Sequence, residues 1–341
     1  MDEHLRQQQQ RLLGLLQASS RPLASLWPPS DASAAAGKDA GGGAAAAAVS
    51  PWDVALCATG TAMACENALV LAALAYAPGP RAPAFLLVGS LALADLLAGL
   101  GLVANFGVRH LLQAPSATAT LSAAGLLLAA FSASAGSLLA IAVDRYLSLC
   151  HALTYRPERA LPGAAAALLL LWLLCAAAGL LPLLGWNCLR APGACSVLRP
   201  VTKDHAAALA VAFLLLFALM LQLYAQICRI AARHAQQIAV QQQQLAAAQA
   251  ASPRKGLSTL SLVLGTFALC WMPFAVYALV ADASYPAVYT YALALPAACN
   301  SLFNPLIYAF RNPDIQKSLW LACCGCVPAR RSARPRTSSD V

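Results

Sequence analysis

From about residue 52 to residue 310 the chain alternates long apolar runs with short polar breaks. A helix needs about 20 largely apolar residues to cross roughly 30 Å of hydrocarbon. Uninterrupted runs bounded by charge, proline or glycine predict helices at 54–76, 83–110, 118–150, 161–184, 205–235, 256–281 and 287–309. A membrane β-barrel would instead show segments of about ten residues alternating in polarity, whereas Ala164–Leu174 and Ala206–Leu219 are apolar throughout. The pattern predicts an all-α membrane protein: a seven-transmembrane helix bundle over residues 51–310, with a short amphipathic eighth helix and a cytoplasmic tail over 311–341.

Composition agrees with that reading. Of 341 residues 60% are hydrophobic and 10% charged, against about 25% charged in an ordinary soluble domain. Cytoplasmic loops are enriched in Lys and Arg. With the N-terminus outside, the cytoplasmic segments hold fourteen of them beyond residue 50, and the opposite loops hold four, namely Arg109, Arg190, Arg199 and Lys203. The expected topology is a multi-pass plasma-membrane protein with an extracellular N-terminus, and the pI near 9.1 then reflects topology, with no nucleic acid required.

Residues 1–50 read as a disordered extracellular tail, with a QQQQ run and an Ala/Gly run ending at Ala48. No stretch in it has the order of a cleavable signal peptide, and it contains no Asn to accept an N-linked glycan. A second low-complexity patch, Gln241–Ala251, reads as a frayed extension of helices five and six.

The twelve cysteines divide by place. Seven lie in or at the ends of spans, where they serve as small core residues. Cys188 and Cys195 share the loop after helix four, in an oxidising compartment, and are expected to form a local disulfide. Cys323, Cys324 and Cys326 follow the last span on the reducing side and read as palmitoylation sites; a zinc site there lacks a nearby His and a fourth ligand.

Strongly polar groups inside a span are costly and mark function by default. They are few here: Glu66 and Asn67 in helix one, Asp95 in helix two, Ser134 and Asp144-Arg145-Tyr146 in helix three, and Asn300 and Asn304 in helix seven. Interhelical hydrogen bonding is the competing explanation for any one of them.

Taken together, Asn67 in ENALV, Asp95 in SLALADLL, Asp144-Arg145-Tyr146, Trp172, Cys270-Trp271-Met272-Pro273 and Asn304-Pro305-Leu306-Ile307-Tyr308 resemble the landmark residues of rhodopsin-like, class A G-protein-coupled receptors, in order and in the expected helices. LLAIAVDRYLSL, LPLLGWNCL, LQLYAQICRIAARHAQQIA and NPLIYAFRN further resemble the constitutively active orphan trio of G-protein-coupled receptors three, six and twelve, relatives of the lysophospholipid and cannabinoid receptors. GWNCLRAPGACSVLRP, CWMPF, ACCGCVP and the closing SSDV favour one member of that trio.

Three departures from the wider receptor pattern inform the mechanism. Residues 105–130 contain no Cys to tie helix three to the following loop, and Thr120 stands near the expected place, so that loop closes on itself through Cys188 and Cys195. Residues 205–235 contain no Pro, so the usual bulge in helix five is not assured. In many relatives an acid at the start of helix six holds the arginine equivalent to Arg145 in the inactive state. Here no Asp or Glu occurs between His205 and Ala281, and helix six opens Pro253-Arg254-Lys255. Arg145 then meets like charge, although Asp144 or Glu158 could restrain it instead. Losing a contact of about 1–2 kcal/mol shifts a two-state equilibrium roughly five- to thirty-fold, which predicts ligand-free signalling.

The resemblance implies further roles. Asp95, Ser134, Asn300 and Asn304 would gather round a sodium ion, the one cofactor implied. Trp271 and the Pro273 kink would form the hinge of helix six, while Tyr224 and Tyr308 swing in towards Arg145. Leu153, Lys255 and Pro305 complete the coupling set, Leu153 as the apolar knob that enters the G protein. Leu127 and Ala298 replace the aspartate of amine receptors and the lysine of opsins, which argues against an amine or retinal. Leu127, Phe131, Trp186, Phe213, Phe274, Tyr277 and Leu295 would line a pocket suited to a lipid chain. Thr337, Ser338 and Ser339 read as phosphorylation sites, which implies receptor kinases and arrestin as partners, and Ser339-Asp340-Val341 resembles a ligand for a carboxylate-capturing domain.

The expected function is a constitutively active receptor raising cyclic AMP through the stimulatory G protein, with a lysophospholipid-like ligand. A ligand-dependent lipid receptor coupled to an inhibitory G protein is the alternative. A transporter would need a repeat or broken helices at matching positions, and an enzyme a motif such as HExxH, GxSxG or a nucleotide loop; neither pattern occurs.

Overall fold

The structure, a computed structural model, describes residues 49–76, 83–112, 115–151, 154–242 and 254–311. Seven helices run through them: α1 Pro51–Tyr76, α2 Pro83–Phe106 with a π-helical turn Gly107–Leu111, α3 Ala117–Cys150, α4 Pro157–Leu180, α5 Lys203–Gln242, α6 Arg254–Val280 and α7 Ala287–Arg311. The segments at 1–48 and 312–341, with the expected tail, the eighth helix and the sites at Cys323, Cys324, Cys326, Thr337, Ser338 and Ser339, lie outside the described residues.

The helix ends have local causes. Ser116 caps α3, its Oγ accepting from the Ala119 amide at 3.1 Å. Pro157 starts α4 in the first helical turn, where its missing N–H costs nothing. That helix stops at Leu180 instead of the expected 184, where Pro182 has no N–H to donate to the carbonyl of Ala178 four residues back; Gly185 then turns the chain with φ at 117°. Lacking proline, α5 continues unbroken for 40 residues.

Six of the helices are long and apolar enough to cross a membrane. The seventh, 25 residues long, is made less apolar by groups such as Asn300, Ser301 and Asn304, all buried inside the bundle. Polarity is turned inward, as a hydrocarbon solvent demands. Asp95 is fully buried while Leu269 is 79% exposed, and Leu169, Leu170, Leu173 and Leu174 form an exposed apolar face on α4.

Packing closes a ring in which α1 meets α2 and α7, α6 meets α5 and α7, and α3 meets α2, α4 and α5. Two crossings depend on paired glycines. A Cβ built on Gly99 would stand 2.5 Å from the Gly60 carbonyl oxygen, and one on Gly179 would stand 2.5 Å from that of Gly125. Backbones in lipid pack this closely where small residues meet, since dispersion replaces the hydrophobic effect. A hydrogen-bonded chain adds a second tie among α2, α3 and α4: Trp172 Nε1 donates to Ser90 Oγ at 3.0 Å, and Ser90 Oγ lies 2.9 Å from Ser137 Oγ.

At the end of the bundle carrying the α4–α5 loop, the expected Cys188–Cys195 disulfide is present, with Cα atoms 5.2 Å apart. Isolated bridges pair Asn187 with Val201, Cys195 with Thr202 and Ser196 with Asp282. The last joins this loop to the α6–α7 loop, where Arg199 Nη2 also donates to the Ala283 carbonyl at 3.3 Å.

Candidate functional site

The polar landmarks form a line through the bundle. At its middle, the fully buried Asp95 of α2 accepts three hydrogen bonds. Ser134 of α3 and Ser301 of α7 donate to Oδ1 at 2.7 and 2.8 Å, and Asn304 Nδ2 donates to Oδ2 at 2.9 Å. A carboxylate in hydrocarbon is tolerable only with such satisfaction. Asn300 is buried but makes no hydrogen bond to Asp95 among the described residues; Ser301 takes the place expected for it. Spacing could not have chosen between them, because Asn300 and Ser301 lie four and three residues from Asn304 and both neighbour it on the helix surface.

Asn67 joins this node from α1. Its Nδ2 donates to the Met63 carbonyl at 2.9 Å and to the Ser301 carbonyl at 3.4 Å. The second acceptor is free for a reason written in the chain: Pro305, four residues on, has no N–H to offer the Ser301 carbonyl. Glu66, its neighbour, stays outside the node, with Oε2 buried and unpaired.

Towards the α4–α5 loop the bundle becomes aromatic. Trp271 of α6 sits with its ring 5.1 Å from Phe131, 5.7 Å from Phe213 and 6.2 Å from Phe274. Phe267 and Phe217 extend the cluster along α6 and α5; sequence reasoning missed both, since an apolar aromatic in an apolar span carries no distinguishing mark. Of the other residues expected to line a pocket, Leu127 packs with Phe131 on Met63, Ala98, Leu102 and Ala298. Tyr277 bonds Thr290 at 3.0 Å, and Leu295 is half-buried on α7. Trp186 is 53% exposed and stacks edge-on against His205 at 5.9 Å, away from the aromatic cluster.

At the opposite end, Tyr224 is buried in a cluster with Leu138, Ala142, Met220 and Phe267. Asp144 accepts from the Tyr155 hydroxyl at 2.5 Å. Arg145 is exposed and forms no ion pair among the described residues, and Tyr146 is half-buried beside it. Pro273 lies inside α6 and Pro305 inside α7. Lys255 lies in the first turn of α6 and Tyr308 near the end of α7, but their side chains, and Leu153 altogether, lie outside the described residues. Tyr155, in the loop before α4, is held well above the ordinary phenol range, to about 12, first by burial and then by the Asp144 carboxylate. Sequence reasoning missed it because the contact joins a loop to a helix end.

Comparison with known proteins agrees with this arrangement. The family described as 7 transmembrane receptor (rhodopsin family) matches residues 66–308. G-protein coupled receptor 12 of Mus musculus is 57% identical over 293 residues, 86% of this chain and 87% of its own. G-protein coupled receptor 6 of Homo sapiens is 53% identical over 294 residues, 86% of this chain and 81% of its own. G-protein coupled receptor 3 of Mus musculus is 53% identical over 290 residues, 85% and 87% of the two chains. Six apolar spans, a polar node on a single buried carboxylate and these likenesses agree: the chain belongs to the rhodopsin family of seven-transmembrane, G-protein-coupled receptors, which are membrane receptors and not enzymes.

Proposed function

We propose that this receptor signals without a bound ligand, raising cyclic AMP through the stimulatory G protein. It would lie in the plasma membrane with its N-terminus outside. The observation that carries this reading is the state of Arg145, which has no ion-pair partner among the described residues. Asp144 is engaged by Tyr155, and helix α6 opens on Arg254 and Lys255 with no acid until Asp282. A charge pair between the inner ends of α3 and α6 would favour the closed state, and like charges there favour separation. Trp271, Pro273 and the Asp95 node would carry movement between the two ends, with Tyr224, Tyr308 and Leu153 acting at the G-protein face.

The aromatic set at Trp271, Phe131, Phe213 and Phe274 supports an apolar ligand such as a lipid chain. The Asp95 node suits a sodium ion. It offers a carboxylate and two hydroxyl oxygens, hard donors for a hard cation, and a single negative charge matches a monovalent ion. Cyclic AMP in cells expressing the chain without added ligand tests the proposal. A level several-fold above empty vector is expected, and one equal to it would refute both coupling and basal activity.

A further inference from the structure

His205 stands in the first turn of α5 and is 2% exposed, yet neither of its ring nitrogens has a hydrogen-bond partner among the described residues. Buried polar side chains are normally satisfied, so such a ring needs a physical account. Trp186 of the α4–α5 loop lies edge-on against it at 5.9 Å, and the His205 amide donates to Thr202 Oγ1 at 3.3 Å. The same Thr202 is bridged to Cys195, whose carbonyl accepts from the Ala283 amide of the α6–α7 loop at 3.3 Å. With Cys195, Ser196 and Val201 all buried, the loop is seated on the outer end of α5 around this ring.

No acid bonds to the ring, and the charges near it do not favour an imidazolium. α5 packs on α3 and α6. From Ala117 to Val143, α3 carries no charged or titratable side chain, and the outer half of α6 carries only Cys270 and Tyr277, whose hydroxyl lies 3.0 Å from Thr290 Oγ1. The α4–α5 loop brings Arg190 and Arg199, and α5 itself Lys203 and Asp204, all four exposed. Asp282 of the α6–α7 loop faces Lys203 at 3.9 Å and accepts from the Ser284 amide at 2.9 Å.

We propose that His205 is an acid-sensitive latch: neutral, it lets the α4–α5 loop close over the outer end of α5, and protonated, it unseats that loop. An imidazolium carries two N–H donors, and neither nitrogen has an acceptor here. A half-exposed Trp186 attracts a cation weakly, whereas burying an unpaired charge costs far more. The charged ring reaches water only if Trp186 and the loop behind it move. An opened ring takes a proton below about pH 6.5 while the closed one does not, so acid favours opening.

Hydrogen exchange of the α4–α5 loop in the purified receptor, corrected for the intrinsic effect of pH, tests this. Between about pH 7.5 and 5.5 the open fraction read over residues 186–202 should rise about tenfold in the parent. It should not rise in His205→Phe, which keeps an aromatic ring without the proton. His205→Gln, polar but not titratable, should stay equally flat and so separates titration from lost polarity; both comparisons cancel the other histidines, His110 among them. An open fraction indifferent to pH in the parent, or a rise in either variant equal to the parent's, would overturn the latch.

Discussion

The Tyr155 hydroxyl donates to Asp144 Oδ1 at 2.5 Å, tying the loop before α4 to the inner end of α3 and occupying the acid adjacent to Arg145. Removing it with Tyr155→Phe should free Asp144 to pair with Arg145. A hydrogen bond to a charged group contributes about 1.5–3 kcal/mol, so ligand-free cyclic AMP should fall several-fold at matched surface expression. The tie should also be insensitive to pH. Its phenol, held up to about 12, contributes stability that is complete below the ordinary tyrosine value and is lost only as pH rises through the raised one. The difference between wild type and Tyr155→Phe should therefore stay constant from pH 6 to 9.

Arg254→Glu or Lys255→Glu places an acid at the start of α6, where the proposed function needs a partner for Arg145. If such a pair restores about 1–2 kcal/mol of preference for the closed state, basal cyclic AMP should drop roughly five- to thirty-fold. Unchanged output at equal expression would mean that α6 does not govern Arg145.

The hydrogen bonds of the Asp95 node single out Ser301, a residue the sequence reading did not name. Ser301→Ala removes a 2.8 Å bond to a fully buried carboxylate and should cost about 1.5–3 kcal/mol, read as a lowered unfolding midpoint in detergent. Asn300→Ala should lower it by clearly less. An equal or reversed order would remove Ser301 from the node.

The glycine crossings predict damage from small additions. Gly99→Ala and Gly179→Ala each set a methyl 2.5 Å from a backbone oxygen, a clash no rotamer relieves. Overpacking costs about 1–3 kcal/mol, so both should reduce surface expression and midpoint, whereas Gly163→Ala, with open space around its Cβ, should do neither.

The Cys188–Cys195 bond closes a short loop, and its loss should cost about 2–3 kcal/mol by chain entropy. Cys188→Ser, Cys195→Ser and the double variant should show the same fall in midpoint, because each removes the same cross-link.

Much of the receptor was legible in its residues. Hydropathy is a local property, and it located seven helices whose starts differ from those observed by a few residues, from Pro51 of α1 to Ala287 of α7. Pro182 shows its limit, since an apolar run continued past the point where backbone geometry ended α4. The local disulfide was legible because its loop holds just two cysteines. The landmark residues stood out because a polar group in an apolar span is rare.

Which landmarks touch was decided in three dimensions. Helical periodicity places Asn300 and Ser301 about 100° apart around α7, but only the rotation of that helix against α2 selects Ser301 for Asp95. The Gly60–Gly99 and Gly125–Gly179 contacts likewise depend on the axial offset of two helices, and the Tyr155–Asp144 bond on how a loop returns to a helix end. The chain alone determined which segments are helical, what solvent they face and which polar groups they carry. Rotation and offset result from packing all seven helices at once, so no single stretch encodes them, and the tertiary structure alone chose each polar group's partner.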